Sequence, residues 1–158
     1  MRTRSLDKAI NEAKKRVRKS VKEYLVPHAI DLEIASIQAY AYDVYPSPSV
    51  YERRYESGGL IDRSHFKTHI KNDGMAYEIE NVTPGKNNRR INVAELVYGG
   101  DGYKGMKYDY PSEEKRGDGK YTYLRSRDYI SPTVEALKAT AKDVMIGALM
   151  KQGSLVNG

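Results

Sequence analysis

Apolar residues recur at steps of three or four near the start of the chain. Leu6, Ile10, Ala13, Val17, Val21 and Leu25 fall on one stripe of a helix, and lysine and arginine fill the other faces. Ser5 is placed to cap that helix, with Asp7 in its first turn. Pro27 interrupts the pattern. A second stripe follows with Ile30, Ile34, Ile37, Ala41 and Val44, so Pro27 either kinks one long helix or opens a second. Pro46 and Pro48 end the helical region.

The period changes at Phe66. Phe66, Thr68 and Ile70 alternate with Lys67, His69 and Lys71, which predicts a strand with two unlike faces. Asn72-Asp73-Gly74 is a hairpin turn signal, and Met75, Tyr77 and Ile79 carry the alternation back. Pro84–Arg90 reads as a polar loop and Ile91–Tyr98 as a third strand. Residues 99–120, GGDGYKGMKYDYPSEEKRGDGK, keep no period and predict a mobile loop. Ser131-Pro132 restarts a helix, with serine as cap and proline in its first turn. Val134, Leu137, Ala141, Val144, Met145, Ala148 and Leu149 mark its buried face, and Gly153 its stop.

These elements predict an α+β fold: a small antiparallel sheet packed against N-terminal and C-terminal helices, with a long mobile loop. The 158 residues are expected to form a single domain. Its parts are helical 5–45, a linker or joint 46–65, sheet 66–98, loop 99–123, a helix 132–151 and a flexible tail 152–158. A chain of this length buries roughly two-thirds of its unfolded surface and needs no covalent staple. With no cysteine it has none, which fits an intracellular origin. No apolar run is long enough to span a membrane, and residues 1–20 lack the apolar segment of a signal peptide.

Charge changes the picture more than composition does. The net charge is +6, but residues 1–22 hold nine Lys/Arg against Asp7 and Glu12, so that segment is +7 and the rest sums to −1. A patch so focused points to an anionic partner surface, or is a solvated helix face. The 14 tyrosines, beside one phenylalanine and no tryptophan, suit interfaces that are part apolar and part wet.

Enzyme chemistry finds no foothold. His65 and His69 are four apart but fall in a strand without a third ligand, and His28 is the only other histidine. Gly99-Gly100-Asp101-Gly102 lacks the lysine and following helix of a phosphate loop. Residues 101–113 do not match a calcium loop, and no nucleophile elbow is present. We therefore expect no catalytic residue, no metal, no cofactor and no enzymatic activity. A basic helix with scattered tyrosines is also the minimal footprint of a non-specific nucleic-acid-binding domain, although no sequence-reading motif accompanies it.

The stretch VYERRYESGGLIDRSHF, residues 50–66, leaves the helical region and enters the sheet. It could be a nucleic-acid platform, a phosphate loop or a structural joint. Tyr51, Arg53, Ser57-Gly58-Gly59-Leu60 and Ser64 resemble the segment Y-x-R-T-G-x-L-x-x-S of a known family. Further along, Ile79-Glu80-Asn81, Glu95-Leu96-Val97-Tyr98-Gly99 and Tyr129-Ile130-Ser131-Pro132-Thr133 approximate its later motifs in the same order. On these residues the chain resembles the head–tail joining or tail-completion (neck) proteins of tailed bacteriophages. It departs from them at Glu56-Ser57-Gly58, in the placing of Glu95, and in the length of the loop after Gly99.

The resemblance implies a non-enzymatic virion protein, made in the host bacterial cytoplasm and built into the phage neck or tail. It implies a homo-oligomeric ring between neighbouring connector or stopper proteins and the tail tube or tail terminator. Viral DNA would pass through the lumen without specific binding, and no membrane is involved. In that setting Tyr51, Arg53, Arg54 and Tyr55 are expected to touch a neighbouring subunit. Lys14, Lys15, Arg18 and Lys19 are expected to face an acidic neighbour ring. Gly58, Gly59 and Leu60 form the joint, where positive φ costs glycine little.

Overall fold

The computed structural model describes residues 2–43, 54–85, 92–99 and 127–154. The loop expected over 99–123, apart from Gly99, lies outside them, as do Val44, Pro46, Pro48, Tyr51, Arg53 and the tail beyond Ser154.

Arg2 to Tyr42 is one continuous right-handed rod. Helix α1 (Arg2–Ser20) leads into a wide π turn at Val21–Leu25, then α2 (Val26–Ile37), then a second π turn at Gln38–Tyr42. Ser20, Leu25, Val26, Ile37 and Gln38 all keep helical φ and ψ across these junctions. Pro27 lacks an N–H and crowds the carbonyl one turn back, and the wide turn before it opens the register there. The proline therefore neither breaks the rod nor starts a separate helix. Ser5, expected as a cap, lies inside α1, because nothing between Arg2 and Leu6 interrupts a helix.

Strands β1 (Phe66–Lys71) and β2 (Ala76–Asn81) pair antiparallel, with Phe66 opposite Asn81 and Lys71 opposite Ala76. Asn72, Asp73 and Gly74 turn between them, all at positive φ. The third strand expected over Ile91–Tyr98 is instead helix α3 (Val93–Gly99). Asn92 caps it: its Oδ1 accepts the Ala94 N–H at 3.1 Å. Ala94 and Val97 then bury one helical face three residues apart. A single isolated bridge, Pro84 to Asn92, is the only pairing beyond the two strands among the described residues.

Helix α4 (Ile130–Ser154) packs against α1, the first π turn and α2. Its cap is Asp128, whose Oδ1 accepts the Ser131 N–H at 2.9 Å, and not Ser131. Hydrogen bonds from Ser131 hold the Asp128 carboxyl below its ordinary pKa. Ile130 and Thr133 face inward at this end, which turns Val134 out of the predicted buried stripe. The helix also outlasts its predicted end. Gln152 is buried, and its Nε2 donates to the buried Ser20 Oγ at 2.8 Å, joining the far end of α4 to the end of α1.

The core gathers where these elements meet. Val21, Val26, Ile30, Ile37 and Ala41 come from the rod, Leu60, Ile61 and Phe66 from the segment entering the sheet, and Ala94, Val97 and Tyr129 from the far side. The fold is α+β: two long helical elements and a two-stranded antiparallel sheet.

Candidate assembly surfaces

Residues 54–65, which include Ser57-Gly58-Gly59-Leu60 and Ser64, form a tight turn. The Ser57 N–H donates to the Arg54 carbonyl at 2.8 Å, and the Gly59 N–H to the Tyr55 carbonyl at 2.9 Å. Gly58 sits at φ +83, a region that costs other residues energy. Gly59 is required for a different reason. A Cβ there would fall onto the Tyr55 carbonyl oxygen and lie 2.6 Å from the Tyr55 nitrogen.

Leu60 is buried, and both of its backbone groups are met by side chains. Its N–H donates to the Tyr42 hydroxyl at 3.0 Å, and its carbonyl accepts from Asn81 Nδ2 at 2.8 Å. Asn81 Oδ1 in turn accepts the Thr83 N–H at 3.1 Å and the Thr83 hydroxyl at 2.6 Å. Buried amide and hydroxyl groups are costly when unmet, so this network specifies one arrangement of rod, turn and sheet. Asp62 closes the turn, accepting from the Ser64 hydroxyl, the Ser64 N–H and the Gly58 N–H. Those bonds, led by the Ser64 hydroxyl, hold its carboxyl below the ordinary range.

Two residues expected at a subunit interface are used inside the chain. Arg54 Nη2 donates to the Pro84 carbonyl at 2.7 Å. Tyr55 sets its ring edge-on to Tyr42, centroids 4.9 Å apart, and packs against the core. Tyr51 and Arg53 lie outside the described residues.

The basic helix divides in the same way. Arg18 pairs with Asp73 in the hairpin turn, and its stem lies against Gly74. Hairpin and helix meet there, so Arg18 is used within the chain. Lys19 reaches Glu23 one turn on at 4.0 Å, a weak exposed pair. Lys14 and Lys15 are exposed, and among the described residues no ion pair involves either.

Every described side chain from Ser5 to Lys15 is exposed. The apolar stripe read from the sequence is therefore buried only from its second half on. Leu6 is 62% exposed and Ile10 44%, whereas Val21 is buried. Other apolar residues left in solvent include Ile70 on β1 (65%), and Ile146 (46%) and Met150 (70%) on α4. Leu6 and Ile10, and likewise Ile146 and Met150, stand four apart on their helices, so each pair shares one exposed face.

Sequence reasoning passed over Glu33. It lies three residues after Ile30 and four before Ile37, in the middle of the buried face of α2, and is 8% exposed. Burial pushes its carboxyl up to about 7 from 4.5. The spacing was visible in the sequence, since the apolar stripe of this helix passes through position 33. The three histidines are dispersed: His28 meets Thr140 at 2.8 Å, His65 donates to the Gly59 carbonyl at 3.1 Å, and His69 meets Glu80 at 3.3 Å. Among the described residues no group of three or more His, Asp or Glu is placed to hold a metal, and no helix is long and apolar enough to cross a membrane.

Comparison with known proteins gives one family. The sequence model of the YomN family matches residues 3–152, from α1 to the last turn of α4. No curated protein and no solved structure matches the chain.

Proposed function

We propose, for a chain that belongs to the YomN family and is phage-related, that it is a structural subunit of the virion. In this reading it forms a ring at the head–tail junction, as a connector or tail-completion component, and has no catalytic role. The observation that carries it is the distribution of unsatisfied surface. In the joint Arg54, Asp62 and the backbone of Leu60 are met within the chain, while apolar and basic groups on α1, β1 and α4 are left to solvent. That pattern suits a protein completed by neighbours.

The exposed Lys8, Lys14 and Lys15 would face an acidic neighbour ring. Arg18 is excluded from that face because it holds Asp73. Detection in purified phage particles, with antibody label at the neck, tests the reading; particles that lack the protein would sink it. The exposed lysines also favour a second reading, non-specific binding of nucleic acid. That reading requires affinity for mixed-sequence DNA falling steeply as salt rises.

A further inference from the structure

Strands β1 and β2 make a two-stranded sheet, so each has an outer edge. One bond sets the direction of every backbone group in it. The Val82 N–H donates to the His65 carbonyl at 2.9 Å, and hydrogen-bonded pairs alternate along an antiparallel ladder. Lys67, His69 and Lys71 therefore turn their backbone groups toward β2, and Thr68 and Ile70 turn theirs away. On β2, Tyr77 and Ile79 face away from β1. Asn81 shares their phase and directs its carbonyl outward, to Asn92 Nδ2 at 3.1 Å. Among the described residues no hydrogen bond reaches the outward backbone groups of Thr68, Ile70, Tyr77 or Ile79.

The two strands differ in charge. β1 carries Lys67, His69 and Lys71 and no acid, whereas β2 carries Glu78 and Glu80 and no base. All five lie on one face of the sheet, where Lys71 meets Glu78 at 2.9 Å within the hairpin. Two β1 edges placed together would set lysine against lysine, and two β2 edges glutamate against glutamate. Like charges directly opposite are destabilising. Only β1 of one copy against β2 of another repeats the favourable pairing. On the opposite face the same contact brings the exposed Ile70 beside the neighbour's Tyr77 and Ile79, which are half-buried against their own core. Identical hairpins set side by side in one sense bring β1 antiparallel to the next β2. Such a contact joins unlike patches, so it propagates, and it closes a ring when the rotation allows.

We propose that the β1 edge of one copy pairs with the β2 edge of the next, so that the hairpins form one continuous sheet through the assembly. The occupant of each edge is a second copy of this chain. The proposal rests on the ring reading above. Six residues of edge supply about 20 Å of ladder, short enough to stay open in a monomer and to bind when many copies close together.

Thr68→Pro and Ile70→Pro each delete one outward N–H, at a position where an edge strand tolerates proline. In native mass spectrometry and negative stain the wild-type protein is expected as a closed ring and both variants as monomers, with unchanged far-UV circular dichroism. Thr68→Val keeps the N–H and should keep the ring. Should the proline variants misfold, single-cysteine proteins Ile70→Cys and Tyr77→Cys decide instead, since the chain has no other cysteine. Mixed under mild oxidation, they should cross-link 70 to 77 and not 70 to 70 or 77 to 77. Rings that persist in folded proline variants, or 70–70 and 77–77 links that dominate, overturn the edge pairing and leave the ring reading standing. A wild-type protein monomeric both at its highest soluble concentration and in extracts of purified particles overturns both.

Discussion

Residues 54–66 and residues 5–15 are both short and charged, and folding treats them in opposite ways. In the first, Arg54, Asp62, Arg63, Ser64 and His65 all have partners within the chain, and Gly59, Leu60, Ile61 and Phe66 are buried. In the second, all described side chains stay in solvent, although the segment has a clean apolar stripe. The difference lies in what each can touch. The turn is gripped by Tyr42 from the rod and by Asn81 from the sheet, whereas the first turns of α1 extend past the elements that cover its second half. An amphipathic pattern states that a helix has a face to bury. It does not state that the same chain supplies the cover.

Substitutions that break this contrast differ in size. Gly59→Val should have the largest effect, because its Cβ meets the Tyr55 backbone rather than a movable side chain. We expect a loss of at least about 3 kcal/mol in urea unfolding, or no folded protein. Glu33, on the buried face of α2, should give up to about 3 kcal/mol of pH dependence. Below pH 4.5 both folded and unfolded chains keep its proton, so it contributes no slope there. Above 4.5 the unfolded chain releases the proton while the folded chain holds it to about 7, so stability falls across that window and levels off beyond it. Glu33→Gln should remove that part of the slope; unfolding curves of the two proteins that stay parallel from pH 4 to 8 would refute the assignment.

Asn81→Ala should cost about 2 kcal/mol, since it orphans the buried Leu60 carbonyl and Thr83 N–H together. Gly58→Ala should cost about 1 kcal/mol, because the site has room for a methyl group but sits at positive φ. Leu6→Ser should change stability by less than about 0.5 kcal/mol, as expected of an exposed side chain. If thermal melts showed Leu6→Ser to be as damaging as Asn81→Ala, the contrast between the two regions would be wrong.

The elements with strong local signals were legible. The alternation of Phe66–Lys71, the Asn72-Asp73-Gly74 turn and the stripe Ile30, Ile34, Ile37, Ala41 all appear where their periods place them, on strand, turn and helix. A short apolar run such as Ile91–Tyr98 suits strand or helix alike. Asn92, followed three residues later by Glu95, is a helix-start signal that outweighs the run. Arg54 and Tyr55 are residue types that suit interfaces, yet the turn aims them at Pro84 and Tyr42. No local rule contains that direction.

The sequence by itself determined the helical rod, the hairpin, the glycine turn and the concentration of positive charge at one end, because each depends on residues within a few positions of one another. Only the tertiary structure decided which half of the α1 stripe is covered, that Gln152 reaches Ser20, that Arg18 is tied to Asp73, and that Glu33 is held away from water. Those outcomes depend on which distant segments arrive beside a side chain. Periodicity records the shape of one element and carries no information about its neighbours.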